Sequence, residues 1–114
     1  MPSTNLTGPF ALTDSEINRT VTKVSPGAYA LGPIDGSGVF HVHRVGRSDN
    51  DLNKRLRDYV GQHAYFKASY FSSPKAAFEK ECNLFHDFRP AGNTLHPDRP
   101  NGSNWSCPRC PVFG

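Results

Sequence analysis

The chain has 114 residues, the length of one domain whose hydrophobic core is adequate but not generous. Its formal net charge of +3 is too small to identify a nucleic-acid-binding protein by charge alone. No apolar run approaches the roughly 20 residues of a membrane-spanning helix, and the first residues lack the pattern of a secretory signal. We therefore expect a single cytoplasmic domain with no membrane partner.

The first half of the chain predicts one short helix and two strands. Residues 1–11 combine Pro, Ser, Thr, Asn and Gly, which favours a loose arm. A capping box at residues 13–16 predicts a short helix that continues to about Arg19. Residues 28–31 and 39–45 have strand character, and the glycine-rich loop between them predicts an antiparallel pair.

The second half predicts two helices, one strand and an irregular tail. We expect residues 46–50 to form a turn. Apolar residues recur at helical spacing over 51–60, and Gly61 is expected to end that helix. Residues 65–71 read as a third strand, and a proline-rich tail follows Phe88. The element order predicts a small α/β (α+β) domain, in which a three-stranded mixed sheet is flanked by helices.

The helix predicted over residues 73–88 carries the most unusual side chains. Ser73 suits the cap position and Pro74 the first helical position. Glu81 lies near the middle of the apolar side, where a carboxylate needs a partner. Cys82 and His86 are four residues apart and share the edge of that side. We therefore expect this helix to carry functional residues.

Cysteine and histidine residues predict a second feature, a structural Zn²⁺ site. Cys82 and His86 of the helix, with Cys107 and Cys110 of the tail, make a donor set suited to tetrahedral zinc. Such a site would hold the tail against the domain. His63 and His96 are reserve ligands if His86 faces away. A redox role for the Cys107–Cys110 pair, or burial of Cys82 as a small apolar residue, is the alternative.

Basic residues crowd one short segment: Arg44, Arg47, Lys54, Arg55 and Arg57. This cluster predicts a local phosphate-binding patch. The alternative is a solvated surface whose charge is balanced by Asp49, Asp51 and Asp58.

Several of these residues together resemble the GIY-YIG nuclease domain. The first half of the resemblance is Gly27-Ala28-Tyr29, then Arg44-Val45-Gly46 at the end of a strand, then Arg55 in the next helix. Gly46-Arg47-Ser48 is similar to the Gly-Lys-Ser that follows the second motif of that family.

The second half of the resemblance is a spacing. The family places an Ala four residues before a metal-binding Glu, a Pro nine residues after it and an Asn three residues after the Pro, as do Ala77, Glu81, Pro90 and Asn93. The resemblance implies a GIY-YIG-like core over residues 24–93, and we expect residues 94–114 to be a tail held by zinc. One departure stands out, because Arg44 occupies the position of the second motif's tyrosine.

The resemblance implies hydrolysis of nucleic-acid phosphodiester bonds, with DNA the expected substrate. Glu81 would hold Mg²⁺ or Mn²⁺, Tyr29 would orient or deprotonate the attacking water, and Arg55 would stabilise the developing charge. Tyr59 would help to position the nucleophile. Asn93 would hydrogen-bond near the site, with a role that is structural as much as catalytic, and a purely structural role is the alternative for both residues. We expect Arg44, Arg47 and Ser48 to bind phosphate.

Other interpretations of these residues remain open. Tyr29 fits a half-buried strand tyrosine, Arg55 fits a surface arginine, and Glu81 fits an ion pair with Arg55. At the level of function, the alternative is a degenerate GIY-YIG-like module that binds nucleic acid or a protein without cutting, which Arg44 favours. A zinc-ribbon module unrelated to nucleases would not explain the spacing of Ala77, Glu81, Pro90 and Asn93.

We also expect a possible protein partner that directs the domain to its nucleic-acid target.

Overall fold

The computed structural model describes residues 4–93, 96–98 and 103–109. Seven elements follow one another: β1 Thr7–Ala11, α1 Asp14–Thr20, β2 Gly27–Gly32, β3 Arg44–Ser48, α2 Leu52–Arg57, β4 Tyr65–Tyr70 and α3 Pro74–Phe88. No helix in these described ranges is long and apolar enough to cross a membrane.

The sheet has four strands in the order β1-β4-β2-β3, and every pairing between them is antiparallel. The prediction of an α+β domain with a sheet flanked by helices is confirmed. The predictions of three strands and of a mixed sheet were wrong. The missing strand is β1, which lies in the segment expected to be a loose arm and pairs with β4.

The strand that we expected over residues 39–45 begins later, at Arg44, and continues to Ser48. Its start is set by its partner, because β2 pairs with it from Leu31↔Arg44 to Gly27↔Ser48. Residues before Arg44 make single backbone hydrogen bonds to the loop after β2, such as His41 N–H to Pro33 O at 2.9 Å. The predicted turn over 46–50 is therefore mostly strand.

The helices begin where their capping residues predict. The Thr13 hydroxyl accepts from the Glu16 N–H at 3.2 Å, which confirms the predicted cap. The return bond of a capping box is not made, because the Glu16 carboxylate accepts from Arg19 and the Thr13 N–H donates to the Ala11 carbonyl. The Asp51 carboxylate accepts from Lys54 N–H, and the Ser73 hydroxyl accepts from Ala76 N–H. Helix α2 is shorter than predicted, since it ends at Arg57 rather than at residue 60.

The sheet divides the core into two clusters, and strand β2 contributes residues to both. Its residues are all buried, and alternate side chains point to opposite faces. Tyr29 and Leu31 pack with α1 and α2 residues such as Ile17 and Leu56. Ala30 packs on the other face with Leu84 of α3. Because β3 is an edge strand, residues from both faces can reach the same outer border of the sheet.

Candidate functional site

A cavity of about 420 Å³ opens along the edge strand β3. Tyr29 reaches it from β2, Arg55 from α2 and Glu81 from α3, so the structure brings these three predicted residues to one place. Four other predicted residues also line it: Arg44, Arg47, Tyr59 and Asn93. We call it the β3 cavity.

Tyr29 lies at the floor of the β3 cavity and is 2% exposed. Its ring crosses β3 at Gly46, its cross-strand neighbour, and a Cβ at Gly46 would overlap the phenol. A glycine is therefore required there. Burial raises the pKa of the Tyr29 hydroxyl well above its usual value of 10, and a hydrogen bond to Tyr59 raises it further. The hydroxyl is consequently neutral at physiological pH.

Arg44 and Tyr59 form the wall next to Tyr29. The Tyr59 ring lies 5.7 Å from the Tyr29 ring, and the Arg44 guanidinium lies 5.2 Å from the centre of the Tyr59 ring. Arg44 Nη1 donates to the Gly92 carbonyl at 2.9 Å. Within the described part of the chain, Arg44 Nε is buried without a hydrogen-bond partner. This wall therefore holds a fixed positive charge where the family motif has a tyrosine.

Glu81 is buried, as its place on the apolar side of α3 predicted, and it has an ionic partner. Arg47 Nη1 donates to Glu81 Oε1 at 2.7 Å. The sequence had suggested Arg55 for this ion pair, but Arg47 on β3 is the residue that makes it. Burial raises the pKa of Glu81, and the hydrogen bond and charge of Arg47 oppose this rise.

Ser48 and Asn93, two residues with predicted roles at the site, make contacts that order the backbone. Asn93 Oδ1 accepts from Val45 N–H and Asn93 Nδ2 donates to Val45 O, which ties the segment after α3 to the open edge of β3. The buried Ser48 hydroxyl accepts from Asp51 N–H at 3.0 Å, just before α2 begins. Ser48 is not among the residues that line the β3 cavity.

The donors around the β3 cavity fit a hard divalent cation. Carboxylates of Glu81, Asp49 and Asp98 all line it, and Mg²⁺ and Mn²⁺ prefer oxygen ligands. Glu81 Oε1 is held by Arg47, so a cation on that oxygen requires the guanidinium to move. The sequence analysis did not predict that Asp49 and Asp98 line this cavity. A signal for Asp49 existed, because it directly follows Gly46-Arg47-Ser48, whereas the residues around Asp98 give no such signal.

A second group of side chains lies on α3 and the tail. Cys82, His96 and Cys107 each offer one ligand atom, and these atoms all lie within 4.8 Å of one another. Cys82 and Cys107 are buried. We call these three residues the Cys/His cluster. Two of its members were predicted as metal ligands, and His96 had been named as a reserve.

The other predicted ligands of this group have different outcomes. His86 Nε2 lies 3.4 Å from Cys107 Sγ, and its ring centre lies 5.3 Å from that of His96, so it borders the Cys/His cluster. Cys110 lies outside the described residues. His63 lies elsewhere, beside the Val60–Gly61 turn, where burial and then the charges of His43 and Arg44 lower its pKa.

The described parts of the tail pack on α3. The Trp105 ring lies 5.6 Å from the ring of Phe78, and Arg109 Nη1 donates to Asp87 Oδ1 at 2.6 Å. His96 belongs to the Cys/His cluster, and Asp98, two residues later, lines the β3 cavity. The tail therefore contributes to both sites.

Solved structures share this architecture. The magnesium-bound GIY-YIG N-terminal endonuclease domain of UvrC from Thermotoga maritima aligns with a TM-score of 0.53 and 23% identity, over 68% of this chain and 96% of that one. The chain has the GIY-YIG fold. A tyrosine-to-phenylalanine variant of that domain gives a TM-score of 0.54 at 23% identity, with the same two coverages.

An asparagine-to-alanine variant of the UvrC domain gives a TM-score of 0.54 at 22% identity, over 69% of this chain and 96% of that one. Both variants are bound to the catalytic divalent cation of that protein. No protein-family model and no curated protein matches the sequence. The GIY-YIG fold is thus established by architecture, in agreement with the resemblance found in the motifs.

Proposed function

We propose that this protein is an endonuclease domain that hydrolyses nucleic-acid phosphodiester bonds with the help of one divalent cation. The observation that carries the proposal is the convergence of Tyr29, Arg55 and Glu81 on the β3 cavity of a GIY-YIG fold. These residues come from three different elements, so their meeting is not a consequence of sequence proximity.

Glu81 would hold Mg²⁺ or Mn²⁺. Asp49 and Asp98 line the same cavity and would bind water molecules coordinated to that cation. When bound, such a cation neutralises charge on the phosphate and on the leaving oxygen. The protein's own contribution is to exclude bulk water from one side of this carboxylate, since Glu81 is 8% exposed.

Tyr29 would orient the attacking water as a neutral hydroxyl. Its raised pKa makes it a poor general base at neutral pH, so it acts through hydrogen bonding. Tyr59, its hydrogen-bonding neighbour, would fix the direction of that hydroxyl. Of the two roles that the sequence left open for Tyr29, orientation is the one that this environment favours.

Arginine side chains would bind the substrate phosphates. Arg55 is exposed at the cavity wall, and its planar fork of donors suits a phosphate that gains charge in the transition state. Arg44 would add a second positive charge above Tyr59, and Arg47 a third beside Glu81. In this proposal Ser48 and Asn93 support the strand that presents these groups.

A second candidate function is nucleic-acid binding without cleavage, and two observations favour it. Arg44 replaces a motif tyrosine, and Arg47 already neutralises Glu81. The first adds a positive charge that attracts phosphate but removes a motif tyrosine, and the second keeps Glu81 from binding a cation.

Nicking of supercoiled plasmid DNA tests the first proposal. Protein with Mg²⁺ or Mn²⁺ should nick the plasmid, and Glu81→Gln should reduce the rate by at least about 100-fold, whereas Glu79→Gln on the same helix should not. Arg55→Ala should also reduce nicking, whereas Arg19→Ala, at an exposed arginine of α1, should not. Equal nicking by Glu81→Gln, or no nicking with retained DNA binding, would overturn the nuclease assignment. A parallel assay on single-stranded RNA identifies the substrate class.

We further propose that the Cys/His cluster holds one structural Zn²⁺ that fixes the tail on α3. Two thiolates and an imidazole are supplied by Cys82, Cys107 and His96, and the fourth ligand would be His86 or Cys110. Four filled ligand positions leave no open site for catalysis. Reduced thiols are needed for this site, which is consistent with the cytoplasmic location that we propose.

Metal analysis tests the zinc proposal. Protein purified without chelator should contain about one zinc per chain, and Cys107→Ser should lose it. Comparing His86→Ala with Cys110→Ser identifies the fourth ligand, because only the loss of a true ligand lowers the zinc affinity markedly. A folded wild-type protein that contains no zinc and binds none when zinc is added would refute the site.

A further inference from the structure

Arg47 is placed between two carboxylates of the β3 cavity. Its Nη1 donates to Glu81 Oε1 at 2.7 Å, and its Nε donates to Asp49 Oδ1 at 2.9 Å. Its guanidinium also lies 5.1 Å from the centre of the Phe78 ring. These contacts hold the guanidinium between the buried carboxylate of Glu81 and the more exposed carboxylate of Asp49.

The pair formed by Arg47 and Glu81 is shielded from solvent. Their side chains are 13% and 11% exposed, whereas the Asp49 side chain is 43% exposed. Burial opposes the charge on Arg47, yet the pKa of Arg47 is raised because its hydrogen bonds to Glu81 and Asp49 outweigh that cost. The guanidinium is therefore charged at every working pH and already pairs with the charge of the carboxylate that would bind a divalent cation.

A cation and this guanidinium compete for the negative charge of one buried carboxylate. Two positive charges side by side in a poorly solvated cavity repel each other strongly, so both cannot bind Glu81 at little cost, even on different oxygens. Phosphate is the natural alternative partner for Arg47, because a guanidinium donates two parallel hydrogen bonds to it. A phosphate in the cavity would therefore attract Arg47 and release Glu81.

We propose that Arg47 is a positioning residue that withholds Glu81 from the divalent cation until a substrate phosphate takes over the guanidinium. The inference rests on the proposed function in one respect, namely that Glu81 is the cation ligand. It adds that cation and phosphate bind with positive cooperativity, and that linkage makes this cooperativity reciprocal. The arrangement suppresses cation binding when no substrate is present.

The test is Mn²⁺ binding, measured by electron paramagnetic resonance on the full chain with zinc supplied to fill the Cys/His cluster. Arg47→Met removes the charge while keeping a long side chain, and Arg19→Met, which removes an arginine paired with Glu16 on α1, is the matched control. Arg47→Met should bind Mn²⁺ at least about tenfold more tightly than the wild type, and Arg19→Met should bind it as the wild type does. Glu81→Gln gives the background binding.

Thymidine 5′-monophosphate supplies the phosphate in a second titration. It should tighten Mn²⁺ binding to the wild type several-fold and have little further effect on Arg47→Met. If Arg47→Met fails to fold, as judged by circular dichroism, Arg47→Gln replaces it, since glutamine still donates a hydrogen bond without charge. Unchanged Mn²⁺ affinity in the folded variant, or an equal effect of the nucleotide on both proteins, would overturn the inference.

The two proposals can fail separately. If the protein nicks no nucleic acid but Mn²⁺ affinity shifts as described, the role of Arg47 stands and the nuclease assignment falls. If nicking depends on Glu81 but the Arg47 variants bind Mn²⁺ no more tightly, the nuclease assignment stands and the role of Arg47 falls.

Discussion

Asn93 pairs with Val45 as another strand residue would. Its side-chain oxygen accepts from the Val45 N–H at 2.7 Å, and its side-chain nitrogen donates to the Val45 carbonyl at 3.0 Å. One amide side chain thus satisfies both backbone groups of a residue on the exposed edge of the sheet. Val45 is 1% exposed, so water does not readily replace these bonds.

Replacing Asn93 should therefore lower the stability of the fold. We expect Asn93→Ala to cost about 1–3 kcal/mol of unfolding free energy, because it leaves two backbone groups of Val45 unpaired. Urea denaturation measures the loss, with Asn83→Ala on the polar side of α3 as the control. Asn93→Asp keeps the acceptor but not the donor, so it should recover only part of the stability. If Asn93→Ala is as stable as Asn83→Ala, the pairing with Val45 contributes nothing.

Gly46 is the position at which one added methyl group should disturb the β3 cavity. Its Cβ would overlap the phenol of Tyr29, and the strand pairing on both sides of Tyr29 prevents an easy escape. We expect Gly46→Ala to cost about 1–3 kcal/mol and to displace Tyr29, with a loss of nicking. Gly36→Ala is the matched control, since nothing lies within 4 Å of a Cβ there. Similar thermal denaturation curves for the two variants would contradict this placement of Tyr29.

Tyr29 should remain protonated in alkali beyond the ordinary range of tyrosine. Its pKa is raised above 10, first by burial and then by Tyr59, so the folded state keeps a proton that the unfolded state loses. Stability should consequently fall as the pH rises above 10. Absorbance titration at the tyrosinate band, as the difference between wild type and Tyr29→Phe, measures this. A difference signal with an ordinary midpoint near 10 would show that Tyr29 is not in this environment.

The first strand should contribute to stability, although its sequence resembles a loose arm. The Phe10 ring lies 5.5 Å from that of Phe66, and the two residues are register partners across β1 and β4. We expect Phe10→Ala to cost about 1–3 kcal/mol, less than the loss of a fully buried phenylalanine. Val24→Ala, at a side chain that is 81% exposed, should change stability by less than about 0.5 kcal/mol. Chemical denaturation of both variants decides whether β1 is a stable part of the sheet.

Local signals predicted several parts of this molecule well. Ser73 and Pro74 marked the start of α3, and Thr13 with Glu16 marked the start of α1, because a capping residue acts within one turn. The burial of Glu81 followed from helical periodicity. These features depend on neighbours only a few residues away in the chain, so the local sequence is sufficient to predict them.

Features that depend on distant partners were not predictable in the same way. β1 contains Gly8 and Pro9 and is a strand because β4, more than 50 residues later, pairs with it. Arg47 rather than Arg55 reaches Glu81 because strand β3, not helix α2, packs beside α3 at that point. The presence of His96 in the Cys/His cluster likewise depends on how the tail returns to α3, which the residue spacing does not specify.

Helix α3 carries Glu81 and Cys82 side by side, and consecutive helical residues point about 100° apart. One turn of helix therefore delivers a hard oxygen donor to one compartment and a soft sulfur donor to another. If the two sites hold the metals proposed above, donor hardness would sort the ions, since thiolates favour zinc and carboxylates favour magnesium or manganese.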